Sequence, residues 1–127
     1  MVTTTEHQAL LAECQQWRDQ LRQYREDLNQ LRNQLYSAAA GKTDKEFIKE
    51  VEHYHNQFHI QLINVHDLKQ SIKSHDRRVQ FEIVANSGQL EEDTIAEHER
   101  LFEEFQSLDS TIKNLREEFG DFIHRTP

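Results

Sequence analysis

The chain has 127 residues, the size of a single domain, with only three glycines and one proline. So few helix-breaking residues, in a chain with 30% charged residues, favour long helices over a β-rich or loop-rich fold. The net charge of -8 argues against nonspecific binding to nucleic acid or to anionic membranes, because both need a basic protein face.

The beginning of the sequence and its cysteine content indicate a compartment. Cys14 is the only cysteine, so the chain forms no internal disulfide and nothing requires an oxidising environment. Residues 1–11 lack a basic region followed by a long apolar run, and no stretch approaches the ~18 apolar residues of a membrane span. We therefore expect a cytoplasmic protein with no membrane-spanning segment.

Start and stop signals divide the chain into three predicted helices, at about 6–39, 44–86 and 90–124. Gly41 and Gly88 are the stop signals, because glycine readily adopts the left-handed conformation that ends a helix. The start signals are three pairs with capping-box spacing: Thr5 with Gln8, Thr43 with Glu46, and Thr94 with Glu97. Two alternatives stay open: a start of the third helix at Gln89 or Ile95, and a break in the second near residues 74–76.

Apolar residues recur along each segment at alternating spacings of four and three. In the first segment they run from Leu10 through Trp17 to Leu35, in the second from Phe47 to Val79, and in the third from Leu101 to Phe122. This spacing keeps one stripe of a helix apolar and is typical of supercoiled packing. The sequence therefore predicts an all-α, antiparallel, up-down-up three-helix bundle with heptad packing, formed by residues 1–127 as one domain.

Folding the chain at the two glycines predicts which residues lie side by side. It places Trp17 level with Val65 and Thr111, and brings His75 within about one turn of His98. In this register residues 76–100 form a helix 2–helix 3 hairpin, the tip, that projects beyond the first helix. Polar residues at the seam positions of the tip are then expected to face water: His75, Glu82, Asn86, Thr94 and His98.

Apolar residues at the two ends of this bundle predict contact surfaces, because exposed apolar patches mark interaction sites. The first surface lies on the tip and the second at the opposite end; together they comprise Val79, Phe81, Ile83, Leu90, Ile95, Leu35, Tyr36 and Phe47. We expect a non-enzymatic protein-interaction module, such as an adaptor, a structural subunit or a small helical chaperone. Either end also fits self-association as a homodimer.

Histidines in the second helix raise an alternative function in metal binding or metal sensing. Glu52, His55, His59 and His66 share one helix face, with spacings that suit zinc, copper or iron ligands. The facing seams of the other helices are apolar, however, so no metal site is favoured and no cofactor is expected.

His75 and His98 raise a third alternative, a pH-responsive helical switch, because imidazole titrates near neutrality. The simpler interpretation of this pair is a polar layer that sets register.

Enzymatic activity finds no support in the sequence. Cys14 occupies a seam position between Leu10 and Trp17, where a thiol is typical of core packing. No glycine-rich phosphate loop and no nucleophile elbow occur.

The third segment, through to the C-terminus, holds eleven acidic and four basic residues, which favours encounter with a basic protein partner.

The layout of three heptad helices with Trp17 in the middle of the first is similar to that of spectrin-type repeats. The third helix here lacks a tryptophan. BAG-type bundles and small helical chaperones of bacterial export systems are similar as well. The resemblance implies a three-helix fold and does not indicate a function.

Overall fold

The computed structural model describes the backbone of residues 4–125 and the side chains of residues 7–125. It contains three α-helices, α1 (Thr4–Ala39), α2 (Lys45–Ala85) and α3 (Glu92–Arg125), and no strand in this part of the chain. The predicted all-α three-helix bundle is confirmed, and every predicted helix end lies within two residues of the observed one. α2 is continuous through residues 74–76, and α3 begins between the two alternatives, Gln89 and Ile95.

The two glycines end helices as predicted. Gly41 and Gly88 have φ angles of 76° and 87°, which a residue without Cβ adopts at little cost. The amide of Gly88 donates to the Ile83 carbonyl at 2.8 Å, which satisfies one of the free carbonyls at the end of α2. Ser87 shares this left-handed conformation with a φ of 54°.

The predicted capping boxes do not begin α2 and α3. Asp44, not Thr43, precedes α2 and makes no side-chain capping hydrogen bond. Thr94 lies inside α3, where its hydroxyl donates to Glu82, and Glu97 contacts His75 instead of the helix end. The Thr5 side chain lies outside the described residues. At the start of α3, tertiary partners have replaced the local ones because Thr94 is buried and Glu97 is half-buried beside the core.

α2 lies between its two neighbours and packs along both, while α1 and α3 contact each other less. Aromatic rings fill one half of the core: Phe58 contacts Phe119 edge-on at a centroid distance of 5.0 Å, and Tyr54 lies 5.0 Å from Phe122. At the other end of these two helices, His75 of α2 lies 5.0 Å from His98 of α3 between ring centroids. None of the described helices has the length and apolarity needed to cross a membrane.

The predicted register of the first helix is wrong by about ten residues. Trp17 packs against His98 at 4.8 Å and against Phe105 at 6.1 Å between centroids, and is not level with Thr111. Arg18 forms an ion pair with Asp76 at 3.1 Å. This shift amounts to roughly 15 Å along the helix axis. It gives the buried polar side chains of α2 and α3 partners on α1, and a buried polar group without a partner is costly.

The shift also corrects the prediction for the tip. Asp76 and His98, expected to lie beyond the first helix, contact Arg18 and Trp17 of α1. Four of the five polar seam residues expected to face water are buried, namely His75, Glu82, Thr94 and His98. Only Asn86 is exposed. The base of the tip is therefore a covered polar layer that contacts all three helices.

Candidate functional site

The predicted contact residues differ widely in exposure. Val79 and Leu35 have no exposed area and are therefore core residues, which removes them from the predicted surfaces. Phe81 and Tyr36 are 70% and 47% exposed. The remaining four are half-buried: Ile83, Leu90, Ile95 and Phe47. Phe47 stacks on Phe122 at 5.4 Å between centroids, so it closes the end of the core.

A row of exposed residues runs along the outer face of α2, opposite its buried seam. Its members follow alternating spacings of three and four and are all exposed: Ile60, Ile63, Asp67, Gln70, Ser74, Arg77, Phe81 and Val84. We call this row the outer stripe. Phe81 and Val84 are 70% and 84% exposed, and Ile60 and Ile63 are 45% and 47% exposed. The outer stripe thus has an apolar pair at each end and polar residues between them.

The histidine-rich face of α2 is exposed to solvent. Glu52, His55, His59 and His66 are all exposed. Nδ1 of His55 lies 3.0 Å from the Tyr36 hydroxyl, a partner on α1. Among the described residues, only one group of three or more side chains brings metal-ligating atoms within 4.8 Å of one another, and these four are not in it.

That group is Cys14, His75 and His98, one residue from each helix. We call it the three-helix cluster. Its members are 0%, 1% and 5% exposed. Nε2 of His75 lies 2.9 Å from Nδ1 of His98, and that same Nδ1 lies 4.0 Å from Sγ of Cys14. The predicted proximity of the two histidines is therefore confirmed, and the cysteine joins them because α1 is shifted.

Carboxylates surround the three-helix cluster. Oε1 of Glu97 lies 2.6 Å from Nδ1 of His75, on the side of the ring that faces away from His98. Oε2 of Glu13 lies 3.6 Å from Nε2 of His98, which has no hydrogen-bond partner in the described part of the chain. Asp76 is held by Arg18 at 3.1 Å and by Gln80 at 3.2 Å. Each histidine thus has one ring nitrogen facing a carboxylate and the other facing its fellow histidine.

Burial shifts the pKa values of two members of the cluster, Cys14 and His98. It raises the pKa of the Cys14 thiol to about 12, with the nearby Asp76 carboxylate adding to the effect. It lowers the pKa of His98, and the adjacent His75 lowers it further. A buried site therefore favours an uncharged thiol and an uncharged imidazole.

Comparison with known proteins gives no family. No family model, curated protein or solved structure matches the chain.

A second polar network lies beside the three-helix cluster and joins the ends of α2 and α3. Glu82, which is 4% exposed, accepts hydrogen bonds from the Glu91 amide at 2.9 Å and from the Thr94 hydroxyl at 2.6 Å. Nε of Arg78 lies 3.0 Å from Oε2 of Glu82. Burial alone would raise the pKa of Glu82, but these three donors lower it below its ordinary value. Glu82 is the residue that caps the start of α3.

Sequence reasoning did not anticipate the neighbours of Cys14 or the burial of His7. Cys14 was interpreted as inert packing because its histidine neighbours lie 61 and 84 residues away and only the stagger of α1 brings them close. His7 is 2% exposed, with neither ring nitrogen bonded to a described residue. It lies three residues before Leu10, on the same seam, so an extension of the apolar spacing would have indicated its burial.

Proposed function

We propose that the protein is a non-enzymatic interaction module that self-associates as a homodimer through the outer stripe of α2. The observation that carries the proposal is the exposure of four large apolar residues at heptad spacing on a face that no helix of the same chain covers. Exposed apolar patches of this kind mark contact surfaces. Spacings of three and four are those of a helix that packs lengthwise on another helix.

A second copy is the occupant that fits, because the outer stripe is complementary to itself when two copies run in opposite directions. With a twofold axis near Ile72, Ile60 of one copy meets Val84 of the other, and Ile63 meets Phe81. Between these apolar layers Asp67 meets Arg77, and Gln70 meets Ser74. An isologous interface requires such reciprocal pairing of one patch with itself. All four layers satisfy it, two by apolar contact, one by opposite charge and one by polar contact.

Removal of one apolar layer should weaken the dimer. We expect Phe81→Ser to raise the dimer dissociation constant on the order of 100-fold or more, because the change removes an apolar contact twice per dimer. Ile48→Ser is the matched control: Ile48 is an exposed apolar residue of α2, outside the outer stripe. Sedimentation velocity measures the dissociation constant, and circular dichroism checks that helicity is kept. A wild-type chain that is monomeric at high micromolar concentration contradicts the proposal, as does an equal effect of the two substitutions.

A charge exchange tests the pairing within the outer stripe. Asp67→Arg should raise the dimer dissociation constant about tenfold, because two arginines then face each other on both sides of the twofold axis. The double variant Asp67→Arg with Arg77→Asp should restore the wild-type constant, since the pair is recreated with reversed polarity. Failure of the second change to compensate rules out this antiparallel register.

The other functional expectations remain predictions. The acidic third helix still favours a basic protein partner, and the pH-responsive alternative through His75 and His98 is untested. The alternative metal site on α2 also remains a prediction; its four residues are exposed, and they are not among the described side chains that bring three or more ligating atoms together.

A further inference from the structure

We infer that Cys14, His75 and His98 bind one zinc-type divalent cation, with Sγ, Nε2 and Nδ1 as its three protein ligands. This site differs from the one considered on α2, and it does not depend on the proposed homodimer. Thiolate and imidazole are the ligands that zinc prefers, and three protein ligands leave one of its four positions open. Each ligand comes from a different helix, so the bound ion would tie α1, α2 and α3 together at one level.

The hydrogen-bond pattern of the histidines is the first argument. Glu97 lies 2.6 Å from Nδ1 of His75, and a carboxylate at this distance places the proton of a neutral ring on that nitrogen. Nε2 of His75 then carries a lone pair. Glu13 lies on the Nε2 side of His98 at 3.6 Å, which is too long for a hydrogen bond, so the close pairing with a carboxylate is made by His75. Metal-binding histidines in proteins show this pairing of the outer nitrogen with a carboxylate.

The short distance between the two inner nitrogens is the second argument. The Nε2 lone pair of His75 lies 2.9 Å from Nδ1 of His98 and accepts a hydrogen bond when that nitrogen carries the proton of its ring. A cation that takes the place of this proton binds both nitrogens, and the proton of His98 moves to Nε2, the nitrogen that faces Glu13. The two histidines are 1% and 5% exposed, so an ion at this position is shielded from water. A cation coordinated by both nitrogens and by the thiolate satisfies all three groups at once.

The spacing of the three atoms suits a tetrahedral ion. Zinc with Zn–S bonds of about 2.3 Å and Zn–N bonds of about 2.0 Å separates its ligand atoms by roughly 3.3 to 3.6 Å. The observed separations run from 2.9 Å between the nitrogens to at most 4.8 Å within the cluster. Shifts of about 1 Å or less therefore bring the atoms to bonding positions, which side-chain rotation provides without moving a helix.

Carboxylates around the site offset the positive charge of the bound ion and its three ligands. Binding breaks the S–H bond of Cys14, forms an S–metal bond and releases the proton to solvent. A divalent ion with one thiolate and two neutral imidazoles keeps a charge of one positive unit. Glu13 and Glu97 each face one of the ligating rings and offset that charge at close range. Arg18 is engaged by Asp76 and so does not leave an unpaired positive charge beside the ion.

Cobalt titration of the untagged protein tests the site, because a Co²⁺–thiolate bond gives a charge-transfer band and tetrahedral coordination gives strong visible bands. We expect one ion per chain, displacement of Co²⁺ by Zn²⁺, and a melting temperature raised by roughly 10 °C at a hundredfold excess of Zn²⁺ over its dissociation constant. Cys14→Ala should abolish the charge-transfer band. Glu97→Gln should keep the band and weaken binding about 10- to 100-fold, as loss of a residue that positions a ligand does.

The matched control is the double variant His55→Gln with His59→Gln, which removes two exposed histidines of α2 and should leave the band and the affinity unchanged. Three results would overturn the inference. One is the absence of a thiolate charge-transfer band in the wild-type protein, which indicates that the two histidines share a proton instead. The others are a band that survives Cys14→Ala and a band that is lost in the double variant. The wild-type spectrum shows whether the cation binds through a thiolate even if a variant fails to fold.

Discussion

Replacement of Phe58 by alanine is expected to lower the free energy of unfolding by about 3–5 kcal/mol. Phe58 has no exposed area, and its ring contacts Phe119 edge-on at 5.0 Å and Tyr54 at 6.3 Å between centroids. The substitution removes the buried ring and leaves a cavity between α2 and α3 that the surrounding rings fill only in part. Urea denaturation followed by circular dichroism, at one fixed protein concentration, measures the loss.

Phe102→Ala is the matched control, because it deletes the same atoms from a side chain that is 40% exposed. Phe102 retains a contact with Trp17 at 6.0 Å between centroids, so a smaller loss of about 1 kcal/mol is expected. Equal losses for the two substitutions would mean that the Phe58 layer is not the packed centre of the bundle.

Loss of the Glu82 charge is expected to destabilise the protein by about 1.5–3 kcal/mol at pH 7, because a hydrogen bond to a charged group contributes that much. Glu82 accepts from the Glu91 amide, the Thr94 hydroxyl and the Arg78 guanidinium. Glu82→Gln keeps the size of the side chain but replaces one acceptor oxygen by a donor. Urea denaturation of both proteins at pH 7 gives the difference.

The pH dependence of that difference has a definite sign. The pKa of Glu82 is lower in the folded chain than its ordinary value of 4.5, so the unfolded chain binds more protons in this range. The stabilisation is therefore fully present above about pH 4.5 and is lost as the pH falls through the lower, folded value. Wild-type protein should lose more stability than Glu82→Gln between pH 7 and pH 3.

Glu46→Gln supplies the control for this experiment. The Glu46 side chain is 85% exposed, and its ion pair with Lys49 is long, at 3.9 Å. A surface pair of this kind contributes little to stability. The control should therefore follow the wild-type pH profile, and a parallel profile for Glu82→Gln would show that Glu82 does not carry the effect.

The helix ends were predictable because they depend on residues that are close in the sequence. Gly41 and Gly88 adopt left-handed conformations directly after the helical segments, which is a local property of glycine. The prediction of the capping boxes was wrong because their side chains bond to residues that are distant in the sequence. Thr94 and Glu97 have the correct spacing, but Glu82 and His75 of another helix offer them buried partners, and a tertiary hydrogen bond in a covered layer outweighs a local one at an open helix end.

The histidine pair was predictable and its cysteine was not. His75 and His98 lie on either side of one short loop, so the hairpin brings them together with little freedom of register. Cys14 comes from α1, whose position along the other two helices is not determined by the loop after Ala39. A helix with a heptad seam can pack at many axial positions that bury similar apolar area. The positions that also give the buried polar side chains hydrogen-bond or ion-pair partners are then preferred.

By itself, the sequence determined that this chain forms three long helices with one apolar stripe each, because helical periodicity and glycine conformation are properties of neighbouring residues. Only the tertiary structure decided the stagger of α1, and with it the meeting of Cys14 with His75 and His98. Apolar stripes slide past one another at little cost, whereas the pairing of Arg18 with Asp76 and the burial of two histidines fit one alignment.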